Sequence, residues 1–257
     1  MTATTPETEL SSIDITTPDG ACDSRLAKPA QEGKYPGVLF YMDAFGLRPV
    51  TDEWISRIAA QGYVVLAPNL FYRSARSPIV KDVQGMMTAE NRPKLFAILG
   101  PLMNELTPGR LAEDSGTYVD FLTNLPQTGP GPIGITGYCL GARVALRTAA
   151  ARPDRVGAVA GFHGGNLATE EPDSPHLLAS KIAGEVYIAY ADHDDHASPE
   201  QQARLDEALS SAGVRHESEV YKDAPHGYTM SDTAAYRKEA AERHFESLME
   251  LFDRTLK

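Results

Sequence analysis

Pro132-Ile133-Gly134-Ile135-Thr136-Gly137-Tyr138-Cys139-Leu140-Gly141-Ala142-Arg143-Val144-Ala145-Leu146 is the stretch on which the fold turns. Its centre, Gly137 to Gly141, reads G-x-C-x-G, the thiol counterpart of the G-x-S-x-G elbow. Pro132 to Thr136 is a short apolar run of strand type. Ala142 to Ala151 is rich in helix formers and is stopped by Pro153. A strand that enters a tight turn and leaves as a helix is the context in which this pentapeptide carries meaning. Such a turn lifts the residue at its tip above the sheet and strains its backbone. Glycines flank it because a Cβ there would collide with the neighbouring strand or the helix start. The helix N-terminus under the thiol carries partial positive charge, which favours a thiolate. By itself the pentapeptide is equally compatible with a small buried cysteine in a glycine-rich turn.

Outward from this stretch, the same rhythm recurs. Gly37 to Met42 and Gly62 to Pro68 are continuous apolar runs, as expected of strands buried on both faces. Val156 to Phe162 and Glu185 to Ala191 repeat the pattern, and Val214 to Tyr221 supplies a last strand. Helices are expected at Thr51 to Gln61, with Trp54, Ile55 and Ile58 on one stripe, and at Thr233 to Leu256. Two more, Pro93 to Leu106 and Arg110 to Leu125, interrupt the alternation. Ser12 to Thr16 and Ala21 to Ala27, joined by Thr17-Pro18-Asp19-Gly20, read as a hairpin. Strands alternating with helices predict an α/β fold, a mostly parallel central sheet flanked by helices on both faces. Residues 1–257 read as one domain, with 1–10 a flexible tail.

Composition bounds the function. The 257 residues carry 24 Lys and Arg against 35 Asp and Glu, a net charge of -11, with a pI near 5.1. Nucleic acid is thereby disfavoured as a partner, because phosphate binding needs a basic face. No apolar run approaches the roughly 18 residues of a membrane span, so no membrane partner is expected. The polar, Thr-rich start lacks the basic and apolar regions of a signal peptide. Two cysteines, Cys22 and Cys139, are too few for a disulfide framework. The expectation is a soluble cytoplasmic protein, a monomer or small homo-oligomer, with no cofactor.

A nucleophilic cysteine needs a base, an orienting carboxylate and oxyanion donors. Among seven histidines, His226 follows the last strand, at the sheet edge to which the elbow points. His163 also follows a strand and is a candidate pocket residue, whereas His176, His216 and His244 read as surface positions. The loop Ala191-Asp192-His193-Asp194-Asp195-His196 offers the carboxylate. A strand-end small-x-x-Asp pattern selects Asp194, with Asp192 its main rival and Asp195 third. The same loop resembles a metal cluster in composition. Without helical i, i+4 spacing or a third ligand group, it reads as a hydrated loop and no metal is expected. Backbone N–H groups of Leu140 and Ala44 are the candidate oxyanion donors, and Asp43 is expected beside the thiol as a modulating anion.

Together, Asp43-Ala44-Phe45-Gly46, Asn69-Leu70-Phe71-Tyr72-Arg73, Gly137 to Gly141, Asp194 and Pro225-His226-Gly227-Tyr228 resemble the dienelactone hydrolase family, in order and spacing from about residue 12 on. The resemblance implies the α/β-hydrolase fold and a Cys139–Asp194–His226 triad. It implies an oxyanion hole at Ala44 and Leu140, and attack on a small ester or lactone of the carboxymethylenebutenolidase type. It places Arg73 where the family binds a substrate carboxylate. Two positions depart from the pattern: Asp43 stands for a glutamate, and Met230 for a second arginine. The stretch Thr88 to Leu106 is expected to cover the pocket. Alternatives are a thioesterase using the same triad, or a non-catalytic or redox-sensing small-molecule-binding protein on this scaffold.

Overall fold

The computed structural model describes residues 6–257. Strands β1 (Thr8–Thr17) and β2 (Gly20–Pro29) form the expected hairpin, in register from Thr17↔Gly20 to Thr8↔Pro29. The tail expected over residues 1–10 is therefore corrected at Thr8, Glu9 and Leu10. Their backbones pair with Pro29, Lys28 and Ala27, and ladder hydrogen bonds prevail over polar composition. Residues 1–5 lie outside the described residues.

The chain continues as β3 (Gly37–Tyr41), α1 (Pro49–Ala60), β4 (Val64–Pro68), α2 (Val83–Met86), α3 (Arg92–Asn104) and α4 (Pro108–Asn124). Then follow β5 (Ile133–Tyr138), α5 (Leu140–Ala151), β6 (Val156–Phe162) and a 3-10 segment, Pro175–Lys181. The last elements are β7 (Glu185–Ala191), α6 (Pro199–Ser211), β8 (His216–Tyr221) and α7 (Lys238–Leu256). The eight strands form one sheet in the order β1-β2-β4-β3-β5-β6-β7-β8. It is parallel from β4 to β8, and β2 runs antiparallel to both its neighbours. From β3 the chain winds first outward to β4, then back to β5 on the other side. That reversal opens a crevice at the carboxyl ends of β3 and β5, where open α/β sheets place ligands.

Buried apolar side chains fix the layers. All five residues of β3 and of β4 are buried, which is why these runs show no alternation. On one face α1 and α7 lie together, with Arg57 bridging to Glu242 and stacking on Trp54 and Phe245. On the other, α4 and α5 meet through Ser115 and Thr148, whose hydroxyl also reaches Tyr41 of β3. A separate small cluster of Val80, Val83, Leu95 and Leu99 joins α2 to α3 above the crevice. No described helix is long and apolar enough to cross a membrane.

Two helical expectations shift. The last helix starts at Lys238 rather than Thr233, because Arg237 N–H bonds back to Tyr228 O at 3.0 Å and closes a loop first. His244, expected at the surface, is fully buried. It occupies the stripe Ala241, His244, Leu248, Leu251, a helical spacing that the surrounding charges obscure. Its Nδ1–H donates to the Ala241 carbonyl, and Nε2 accepts the Tyr138 hydroxyl at 3.1 Å, so the neutral ring is satisfied.

Burial pushes the His244 pKa down to about 3. Between that value and the unfolded one, the unfolded chain binds the proton that the native ring refuses. The stability His244 provides is present above the unfolded pKa and is lost as pH falls toward 3. From neutral pH to pH 5 this loss amounts to about 2 kcal/mol. Urea denaturation of wild type and His244→Leu across that range should show it: the acid-side slope shrinks by this amount in the variant. An unchanged slope would assign the acid sensitivity elsewhere.

Candidate active site

The elbow stands at the end of β5. Cys139 has φ 54° and ψ -114°, a left-handed backbone between strand and helix. A Cβ on Gly137 would lie 2.2 Å from the Gly141 carbonyl oxygen, and one on Gly141 would lie 2.3 Å from that of Tyr41. Both contacts are impossible, so helix start and neighbouring strand each exclude a side chain.

Two loops complete the site around the Cys139 sulfur. His226, from the loop after β8, brings Nε2 to 3.0 Å from Sγ. Its Nδ1 lies 2.6 Å from Oδ2 of Asp194, from the loop after β7. Asp194 is held in turn by the His196 N–H, 2.9 Å from Oδ1. The rivals are engaged elsewhere: Asp192 accepts the Asp223 N–H at 2.8 Å, and Asp195 is exposed. His193 points into solvent, its side chain 95% exposed.

Charges follow this geometry. Burial alone would lower the His226 pKa, but the Cys139 sulfur and the Asp194 carboxylate outweigh it and raise it to about 10. Burial would likewise raise Asp194, yet its hydrogen bond to His226 holds it below the usual carboxylate range. An imidazolium, held between the Cys139 sulfur and the Asp194 carboxylate, is thus the favoured form of His226.

Ala44 and Leu140 line the same cavity as Cys139. Leu140 opens α5, where N–H groups have no helical acceptor. Among the described residues, neither the Ala44 nor the Leu140 amide donates to a protein acceptor. His163 also lines the cavity, fully buried, with Nε2 2.7 Å from Thr229 Oγ1 and Nδ1 without a partner. Burial and then the charge of His226 hold its pKa well below the normal value, so the ring beside His226 stays neutral.

The charges of two expected site residues, Asp43 and Arg73, are engaged by other side chains, one five residues on and one forty-one residues on. Asp43 lies on the cavity wall, but its carboxylate is turned to Arg48, with Nη1 and Nη2 at 2.7 and 2.9 Å. It also accepts the Phe45 N–H at 2.9 Å. Arg48 reaches on to Asp232 at 2.6 and 3.2 Å, tying the Asp43 loop to the chain beyond His226. A buried carboxylate settles where charge-assisted donors are most numerous, and here those are the Arg48 guanidinium and the Phe45 N–H. Arg73 is not part of the cavity wall. Its guanidinium is taken by the buried Asp114, at 2.7 and 2.9 Å, and by Asp19 at 2.6 Å. Met230 is buried in the wall.

The roof is α3, as expected, with Leu95, Phe96, Leu99 and Met103 facing a cavity of about 540 Å³. Arg48 and Arg143 escaped the sequence reading. Nothing local marks Arg48. Arg143 could have been found, since four residues beyond Cys139 in a helix means the same face one turn on.

The model of the family described as "Dienelactone hydrolase family" matches residues 22–256. A Synechocystis sp. protein named "Putative carboxymethylenebutenolidase" is 26% identical over 237 residues, covering 90% of this chain and 91% of its own. Two solved structures share the fold. One, "Putative Dienelactone Hydrolase" from Klebsiella pneumoniae, has TM-score 0.83 and 21% identity, covering 96% of this chain and 99% of its own. The other, a dienelactone hydrolase from Anabaena variabilis, has TM-score 0.67 and 18% identity, covering 99% of this chain and 100% of its own. The parallel sheet and its helices have the α/β-hydrolase architecture, and the chain belongs to the dienelactone hydrolase family of ester and lactone hydrolases.

Proposed function

We propose that this protein hydrolyses an ester or lactone through an acyl-enzyme on Cys139, with His226 as proton carrier and Asp194 as its orienting carboxylate. The observation that carries the reading is the unbroken chain Asp194 Oδ2, His226 Nδ1, His226 Nε2, Cys139 Sγ, at 2.6 and 3.0 Å, on the wall of the cavity lined by α3. In the first half-reaction the thiolate attacks the carbonyl carbon and a C–S bond forms. Negative charge moves to the carbonyl oxygen, where the Ala44 and Leu140 amides would receive it. Collapse breaks the C–O bond, and the departing alkoxide takes the proton from His226 Nε2. Water then gives a proton of its own to Nε2 as it attacks the thioester. The C–S bond breaks, the acid is released, and the thiolate is restored beside the imidazolium.

Asp43 has no step in this scheme, because Arg48 neutralises it in place.

The test is direct. Brief incubation with p-nitrophenyl acetate, acid quench and peptide mass spectrometry should find one acetyl group, on the Cys139 peptide, with a matching burst of nitrophenolate. Hydrolysis without any Cys139 adduct, or adduct on another residue, would sink the acyl-enzyme.

A further inference from the structure

A guanidinium has five N–H donors, and in Arg48 every one of them is engaged. Nε and Nη2 donate to Asp232 at 2.6 and 3.2 Å, and Nη1 and Nη2 donate to Asp43 at 2.7 and 2.9 Å. Nη1 also donates to the Gly46 carbonyl at 3.0 Å. None of these acceptors belongs to the sheet. Asp43 and Gly46 lie in the loop after β3, which carries Ala44, and Asp232 lies in the loop after β8, beyond His226. Beside this link, Trp54 of α1 donates its indole N–H to the Thr229 carbonyl at 3.1 Å. Arg48, the residue before α1, thus joins two loops that line the cavity with Cys139.

Ala44 is fixed from both sides by the same contacts. On one side the Asp43 carboxylate is clamped by Arg48. On the other, the Phe45 N–H donates to Asp43 Oδ1 at 2.9 Å, and the Phe45 ring centroid lies 5.4 Å from the guanidinium carbon. The Gly46 N–H closes the turn on the Asp43 carbonyl at 3.2 Å. Between these anchored neighbours the Ala44 N–H donates to no protein acceptor among the described residues. An amide held in place with its proton free is the preorganised donor that a developing oxyanion needs.

We propose that Arg48 is a positioning residue: it splints the Ala44 loop to the His226 loop and so aims the Ala44 amide at the oxygen of the carbonyl that Cys139 attacks. This rests on the hydrolase reading for the identity of that oxygen. A buried ion cluster adds little stability beyond what apolar packing would, so its contribution here is geometric. The hydrogen bonds of Arg48 go to neither Cys139 nor His226. Its loss therefore spares the reactivity of the sulfur and weakens only reactions that place negative charge on oxygen.

Two reagents separate these effects. Iodoacetamide alkylates the sulfur with loss of iodide and puts no charge on a carbonyl oxygen. Benzyl trifluoromethyl ketone instead accepts the sulfur at its carbonyl carbon. A C–S bond forms, the carbonyl π pair moves to oxygen, and the reversible adduct is read by fluorine NMR. Arg48→Lys keeps the charge, but one ammonium cannot span both carboxylates. It should weaken ketone binding on the order of 10²-fold and lower kcat on p-nitrophenyl acetate similarly, with KM within about threefold. Iodoacetamide should inactivate variant and wild type at rates within about threefold, since the sulfur and its imidazole are untouched. Asp232→Asn cuts the splint and spares the Arg48–Asp43 pair, so ketone binding should weaken about tenfold with alkylation unchanged. Arg25→Gln, which removes a different ion pair to α1, at Asp52, should change neither reaction. If Arg48→Lys fails to melt cooperatively, Asp232→Asn carries the test, its carboxylate side chain being 34% exposed. Wild-type ketone affinity in Asp232→Asn, parallel losses with both reagents, an equal loss in Arg25→Gln, or no ketone adduct in wild type would each overturn the splint. Ester hydrolysis that is indifferent to Arg48→Lys would also overturn it and leave the hydrolase reading standing. An adduct that depends on Arg48 and Asp232 in a protein that hydrolyses no ester would end the hydrolase reading and leave the splint.

Discussion

Cys139→Ala should lower kcat on activated esters by on the order of 10⁴-fold or more, leaving the residual catalysis that binding and oxyanion donors alone provide. The size follows from the loss of the covalent route, since no other group within reach can take its place. Cys22, the other thiol, is buried and hydrogen-bonded, and desolvation pushes its pKa up to about 11. The fold should survive, because the sulfur's one side-chain hydrogen-bond partner is His226. The same variant carries a second readout. The Cys139 sulfur is the largest influence raising the His226 pKa, so ¹⁵N-detected titration should show it falling below about 10 once the sulfur is gone. Retained esterase activity would end the assignment of Cys139 as nucleophile.

Asp194→Asn should cost on the order of 10³- to 10⁴-fold in kcat while leaving KM comparatively unchanged. An amide there can present its NH₂ to Nδ1 and impose the wrong tautomer, with no charge to stabilise the imidazolium. The pH dependence has a definite sign. In wild type His226 holds its proton up to about pH 10. Losing the carboxylate removes one of the influences that oppose burial, so the proton is lost at lower pH. The ring is then neutral over part of the range in which the wild-type ring is charged. Asp192→Asn provides the contrast: its carboxylate braces the Asp223 N–H, and a change of a few-fold at most is expected. Comparable losses in both variants would mean that the loop as a whole, rather than Asp194, supports His226.

The fold was legible because its signals are local. Buried parallel strands are continuous apolar runs, and all of those expected were found within a few residues. The elbow was legible for the same reason: Gly137 and Gly141 answer to steric contacts with the adjacent turn and strand. His226 and the Asp192–Asp195 loop could be placed because strand order puts their loops at the sheet's carboxyl edge. Beyond this, side-chain direction mattered. Arg73 stands where a carboxylate-binding arginine is expected, yet Asp114, forty-one residues later, claims it. Asp43 is held by Arg48, which is itself tied to Asp232, 184 residues further on.

Sequence alone determined the α/β alternation, the strand–elbow–helix around Cys139 and the resemblance to a hydrolase family, since each rests on short-range patterning. Only the tertiary structure decided which aspartate meets His226 and that Asp43 and Arg73 are neutralised in ion pairs. The physical reason is that a charged side chain reaches several ångströms and pairs with whichever opposite charge the fold brings near. That choice depends on the packing of distant segments, and no local pattern encodes it.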